Sequence, residues 1–548
     1  MSFGPPPSLY TQSTVTAEAL QRTRRRKWAV GLLALVLVAA LGVGGWLLRS
    51  GADDGTKTSD QPVAAGQGRL DVRESVEEPP ASTVGKMAFR FSVDDMGPGE
   101  HFELPGMWAT DKILAKGINK TVVGLTVGTD ASPGDEKWKL PLDGPICGYT
   151  RHVTGDNRTA VLFRANDRGG AYCNHVAFFD LDDGREVWEG DFPYSQYGDD
   201  PGMATGGDDQ DAPSVTLTHG TVVVTWGGGT DAYSMDTGKR RWRTTSTGAC
   251  QDMGAAGGGA LIVRQQCWND DESLPVDSLE RVAYKARKID PNTGDVLWTY
   301  SAAKGIRDLD IPSAEPAVLA VQAGEIGISE LLSLDAEGAD RATIRLQNGT
   351  YVGECSTYDD YLVVDDCPTI AVGADQVFLR SKETGDKADA NWIVGFELAT
   401  GNTTKKFDSG PGSLLYPVRM SGGRLLALRE SDDHIAPTAL VGLDPKTGKE
   451  TPYFYFNLPA EAETMTMTEY NDILVQDGRV FFGRKKVDGP TADEPKWIYL
   501  VLGIESTGST GSAGSTENAR NGENTESTGN GKSTENAGNG ESGASRTP

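Results

Sequence analysis

Apolar residues in this chain come in short runs that alternate with polar ones or stand unbroken, and Gly-rich turns separate them. Asn174-His-Val-Ala-Phe-Phe-Asp180, Val282-Ala-Tyr-Lys-Ala-Arg-Lys-Ile289 and Trp392-Ile-Val-Gly-Phe-Glu397 are examples. Such runs, bounded by turn residues, predict β-strands. The turn after each run is also patterned. An acidic residue, a turn ending in Gly, three spacers and then Trp make a phrase whose fullest copy is Asp290-Pro-Asn-Thr293-Gly294-Asp-Val-Leu-Trp298. Asp130…Gly134…Trp138 and Asp180…Gly184…Trp188 repeat the frame, and Thr237-Gly238…Trp242 keeps the Gly-to-Trp spacing. Weaker copies place Gly at 338, 401, 448 and 508.

These glycines recur every 44 to 63 residues. A repeat of roughly 40 to 50 residues with strand-like flanks is the mark of a β-propeller. Gly supplies the positive φ of a tight hairpin, Asp and Thr bond the turn backbone, and Trp falls on the next strand. A large ring recurring at fixed phase is what packing between neighbouring blades requires. Trp138, Trp188, Trp242 and Trp298, with Gly134, Gly184, Gly238 and Gly294, are therefore structural residues. The last phrase, Glu505-Ser-Thr507-Gly508, has no strand after it, whereas an orphan strand, Lys86–Val93, precedes the first repeat. The orphan is expected to complete the final blade. That gives one all-β domain over 86–508 of eight four-stranded blades. Seven is the alternative, because Ala342 stands where the Asp335…Gly338 copy would have its Trp.

Charge changes the picture at the N-terminus. The chain carries a net −26 overall, which argues against nucleic acid as a partner. Yet Arg22, Arg24, Arg25, Arg26 and Lys27 in residues 1–27 face only Glu18. Residues 28–48 follow without a charge, with Trp28 and Trp46 near their ends. This is long enough for a helix through a bilayer about 30 Å thick. The basic stub keeps the N-terminus cytoplasmic and puts the propeller outside. A cleaved secretory signal, the alternative, would have a shorter apolar region. Residues 49–85 are polar and acidic and read as a flexible stalk. Residues 509–548, with Ser515-Thr-Glu-Asn518 repeated at 533–536, form a low-complexity tail that cannot bury a core.

Six cysteines fall into three local pairs, Cys147/Cys173, Cys250/Cys267 and Cys355/Cys367, whose first members share a repeat phase. An even count with local pairing predicts three disulfides in an oxidising compartment. No Cys-x-x-Cys or clustered His suggests zinc. The acidic run Asp199–Asp211 has the oxygen ligands that Ca²⁺ accepts but not a calcium-loop spacing, and Asp270-Asp271-Glu272 is a weaker candidate. Neither a nucleophile elbow nor a zinc-protease motif occurs, and no catalytic, cofactor or metal residue is assigned.

Taken with the period and the anchor, the Asp-x-x-Thr-Gly-x-x-x-Trp phrase at 290–298 resembles the pyrroloquinoline-quinone-like (PQQ-like) β-propeller repeat family. The anchor and the Ser/Gly/Glu/Asn tail are similar to its membrane-anchored members in actinobacteria. The resemblance implies one of two activities. Quinoprotein dehydrogenases of the family hold the quinone and Ca²⁺ at the ring centre; other members are non-catalytic scaffolds or sensors. The adjacent Cys-Cys pair of many of the dehydrogenases is missing here. The expectation is a monomeric, non-enzymatic module that binds an envelope protein or ligand, with no cofactor. A quinoprotein dehydrogenase, or recognition of a wall polysaccharide or small ligand, is the alternative.

Overall fold

The computed structural model describes residues 68–508, apart from breaks in connecting segments of which 194–212 and 490–498 are the longest, and the backbone of Thr14–Val15. The proposed stub apart from Thr14–Val15, the span at 28–48 and the tail lie outside the described residues. So do Asp199–Asp211 and Asp270–Glu272. Among the described residues no helix is long and apolar enough to cross a membrane.

Eight antiparallel blades, each built on four strands, follow one another along the chain; Thr14–Val15 adds a short fifth strand to blade 4 and Tyr351–Val352 one to blade 6. Blade 1 spans Met107–Pro141, blade 2 Ile146–Asp191, blade 3 Ser214–Thr245 and blade 4 Cys250–Ser301. Blade 5 spans Asp308–Arg345, blade 6 Ile370–Asp408 and blade 7 Ser413–Phe456. Blade 8 takes three strands from Asn471–Ser506 and its outermost strand, Gly85–Ser92, from the start of the domain. That strand pairs antiparallel with Tyr499–Ser506, Lys86 opposite Glu505 and Phe91 opposite Val501. The ring closes as the orphan strand predicts, with eight blades.

Burial explains why alternation is patchy in the sequence. Second and third strands are sandwiched between neighbouring blades and are nearly continuous apolar runs, as in Thr221-Val-Val-Val-Thr225. Fourth strands face solvent on one side and alternate, as in Glu136–Pro141, where only Trp138 and Leu140 turn inward.

The Trp and Gly of successive phrases meet across the blade boundary. Trp138 donates its indole N–H to Leu181 O of blade 2 at 3.1 Å, and a Cβ on Gly184 would lie 2.4 Å from the Trp138 ring. Trp188 lies against Gly238, Trp242 against Gly294 and Trp298 against Gly338 in the same way. Each turn glycine thus answers two demands, a positive φ (70° at Gly184) and space for the preceding blade's indole. Where blade 5 has Ala342 in place of Trp, Thr343 O approaches Gly401 instead. At the ring closure Phe89 and Arg90 O take the position against Gly134. The missing Trp therefore does not cost a blade.

The stalk expected at 49–85 needs correction over its second half. Residues 68–84 are an ordered strap across the face formed by the turns between first and second strands, here called the lower face. Leu70 O accepts from Gly220 N of blade 3, and Arg73 N donates to Val153 O of blade 2. Ser75 reaches Gln476 of blade 8, and Thr83 O accepts from Tyr455 N of blade 7. Glu77, 5% exposed, accepts from Asp477 N at 3.1 Å and Gly478 N at 2.7 Å and pairs with Arg419 at 2.8 Å. The segment reads as a linker in the sequence because its partners come from blades remote along the chain. All the longest connections, by contrast, leave the opposite, upper face: 192–213, 269–281, 346–369 and 457–470.

Candidate functional site: the propeller axis

In a ring of blades the natural ligand position is the axis, and in this protein a piece of the chain occupies it. The connection from blade 5 to blade 6 contains Cys355 and Cys367, bonded to each other. Its second half, Tyr361-Leu-Val-Val-Asp-Asp-Cys-Pro-Thr369, leaves the upper face and runs inward as a plug. Tyr361 packs edge-on to Tyr149 of blade 2 with ring centres 5.6 Å apart. Val363 joins the buried cluster of Trp108, Tyr149 and Phe179. Val364, fully buried, accepts from Ile311 N of blade 5 at 2.9 Å. A Cβ on Gly254 of blade 4 would come within 2.3 Å of Val364. Asp366 pairs with Arg151 of blade 2 at 2.9 Å and lies 3.9 Å from Lys485 of blade 8. Blades 4 and 8 lie on opposite sides of the ring, so a nine-residue segment touching both lies at the centre.

The electrostatics of the plug are satisfied from within. Asp365 accepts from the backbone of Gly257 and pairs with His152 Nε2 at 2.9 Å. Arg151 donates to Asp365 O at 3.0 Å. Burial alone would raise the Asp365 carboxyl; the His152 hydrogen bond, with the His152 and Arg151 charges, outweighs it and holds the group below the usual carboxylate range. Asp366 and Asp365 together hold the exposed Arg151 guanidinium in its charged form.

A second acidic pair, buried Asp310 and partly exposed Asp308, lies between blades 4 and 5. Arg264 donates to Met253 O at 2.6 Å and to Asp308 at 2.8 Å, and reaches Asp310 at 3.5 Å. Burial first, and then the Asp308 charge, pushes the Asp310 carboxyl up to about 8, with Arg264 opposing. One guanidinium between two carboxylates accounts for this shift without a ligand.

The sequence-predicted cysteines pair as expected, although the third bond, expected like the others within a blade, lies in a connection. Cys147–Cys173 ties the first and third strands of blade 2, and Cys250–Cys267 bonds directly opposed residues of blade 4. Cys355–Cys367 sits in the connection ahead of blade 6 and staples the base of the plug. The four Trp and four Gly residues meet between successive blades. Among the described residues no group of three or more His, Cys, Asp or Glu side chains is arranged to hold a metal. Sequence reasoning missed the plug, although a signal existed: the interval from Gly338 to Gly401, 63 residues, is the longest of the repeat.

The family described as outer membrane protein assembly factor BamB matches residues 174–451. No curated protein matches the chain. Among solved structures, BamB from Moraxella catarrhalis is 11% identical, covering 77% of this chain and 99% of its own, with a TM-score of 0.38. The quinohemoprotein alcohol dehydrogenase of Comamonas testosteroni is 12% identical over 84% of each chain, with a TM-score of 0.41. A europium-containing methanol dehydrogenase is 13% identical, covering 68% of this chain and 81% of its own, with a TM-score of 0.37.

Proposed function

The chain belongs to the PQQ-like β-propeller family whose model matches residues 174–451, and from that premise we propose that it is a non-catalytic binding or scaffold module outside the cytoplasm. The observation that carries this reading is the plug. The family's quinone and its Ca²⁺ would need the ring centre, where Val363, Val364 and Asp365 pack against blades 1, 2, 4 and 5. The residues at that centre do not fit the cofactor: two valines fill the space, and both carboxylates of the plug are already engaged, Asp365 by His152 and Gly257 and Asp366 by Arg151. Binding surface is left to the two faces. Recognition by loops on a rigid ring needs no reacting group.

The uncharged run at 28–48, the basic residues before it and the three disulfides support a single-pass anchor with the ring on the oxidising side. Confinement to the membrane plane would raise the effective concentration of the ring for partners in the same membrane. In-cell crosslinking of the full-length protein, with an anchor-only chain as control, tests the reading. It predicts that the same envelope protein is enriched by the full chain and not by the anchor. Equal recovery from both, or none, would refute a scaffold role.

A further inference from the structure

The strap on the lower face and the plug on the axis hold opposite sides of one turn. Residues 150–157 join the first two strands of blade 2. At the start of this turn, Arg151 bonds Asp365 O and pairs with Asp366, and His152 pairs with the Asp365 carboxylate. The rest of the turn is bound by the strap. Val72 bridges Thr154, Gly155 N donates to Asp71 O at 2.9 Å and Asp156 N to Arg69 O at 3.0 Å. Arg69 pairs with Asp156 at 2.7 Å, and Arg73 donates to Asn157 Oδ1 at 2.6 Å and Ala109 O at 2.7 Å. A second, parallel connection runs through His219. One ring nitrogen faces Asp71 of the strap at 3.2 Å and the other contacts Gly259 O at 2.7 Å. Gly259 belongs to the same blade 4 turn as Gly257, which bonds Asp365.

We propose that strap and plug form one coupled latch, joined through residues 150–157, so that lifting residues 68–73 off the lower face loosens Val364 and Asp365 on the axis. The physical ground is that blade 2 holds the two ends of the turn, through Thr150, Thr159 and Arg158, while its tip is shared with the strap. Thr154 bonds Asp156, Asn157 and Arg158 within the turn, but Val153 O and the amides of Gly155 and Asp156 are satisfied by the strap. Without it, the turn gains conformational freedom next to the two side chains that grip Asp365. Coupling of this kind is reciprocal, so loosening the plug also loosens the strap.

Hydrogen exchange on the full chain tests this. The amide of Ile311, which donates to Val364 O, reports the seating of the plug; those of Gly155, Asp156 and Gly220 report the strap. In the double variant Arg69→Ala/Arg73→Ala, the strap amides and Ile311 should both exchange at least ten times faster. The amides of blade 7 at 425–428 should not change. In Asp365→Asn, Ile311 should accelerate and the amides of Gly155 and Asp156 should follow. Faster exchange at the strap amides with Ile311 unmoved overturns the proposal. So does acceleration of blade 7 together with the rest, which is general loosening, and so does coupling in one direction only.

Discussion

Replacing Gly184 by Ala separates the two demands made on the turn glycine. The backbone there has φ 70°, and forcing an alanine into left-handed geometry costs about 1–2 kcal/mol. The new Cβ would also lie 2.4 Å from Trp138, and overpacking of this kind costs roughly 1–3 kcal/mol. The sum is about 2–5 kcal/mol. Gly423 is the control: its φ is 79° and nothing lies within 4 Å of its would-be Cβ. Gly423→Ala should therefore cost only the backbone part, about 1–2 kcal/mol. Chemical denaturation of both variants, together with Trp138→Ala and the Trp138→Ala/Gly184→Ala pair, gives the packing part directly. With the indole gone the added methyl has room, so the double variant should be less destabilised than the sum of the singles by about 1–3 kcal/mol. Additivity within about 0.5 kcal/mol would mean that Trp138 and Gly184 do not read each other, and the account of the repeat would fail.

Glu77→Ala removes the carboxylate partner of the partly buried Arg419 guanidinium and frees two backbone N–H groups; it should destabilise by roughly 1–3 kcal/mol in urea titrations, whereas a floppy stalk would show no effect. Reduction, or Cys355→Ser with Cys367→Ser, should lower the melting temperature, each closed loop contributing on the order of 3 kcal/mol. An unchanged melting temperature in reductant would remove the disulfides from the account. Asp310 holds its proton up to about pH 8 in the folded ring and only to about pH 4 when unfolded. The folded state therefore binds the extra proton between these values, and stability should fall as pH rises through that window. Asp310→Asn should flatten this fall when unfolding is followed at pH 5 and pH 8.5; an equal slope in both proteins contradicts the assignment. Deleting 85–92 should open the ring by removing the outer strand of blade 8, while deleting 509–548 should leave the melting temperature unchanged.

The parts of the fold written into neighbouring residues could be read from them. Asp290, Thr293, Gly294 and Trp298 form a local turn and strand, and the Asp290 carboxylate does accept from Asn292 N and Thr293 N. Cys250 and Cys267 lie on adjacent strands. The closing strand was visible because a repeat left a strand over at one end and lacked one at the other. The strap and the plug have no such local logic. Arg69, Arg73 and Glu77 bond blades 2 and 3, blades 1 and 2, and blades 7 and 8 respectively, so their order can only be explained by the finished ring. Leu362-Val363-Val364 looks like any buried strand, and only the partners from blades 2, 4, 5 and 8 make it an axial segment. The double role of the glycines was likewise half visible: the turn required positive φ, but the indole above it belongs to the preceding repeat.

The claim on which the functional reading turns is that the ring centre is filled by the chain itself. It is tested most directly by titrating the folded protein with pyrroloquinoline quinone and Ca²⁺ while following quinone absorbance and the exchange of the Ile311 amide. The account predicts no saturable binding and an Ile311 amide that stays protected throughout. Saturable one-to-one binding that releases Ile311 would show that the plug yields the axis to a cofactor, and would contradict it.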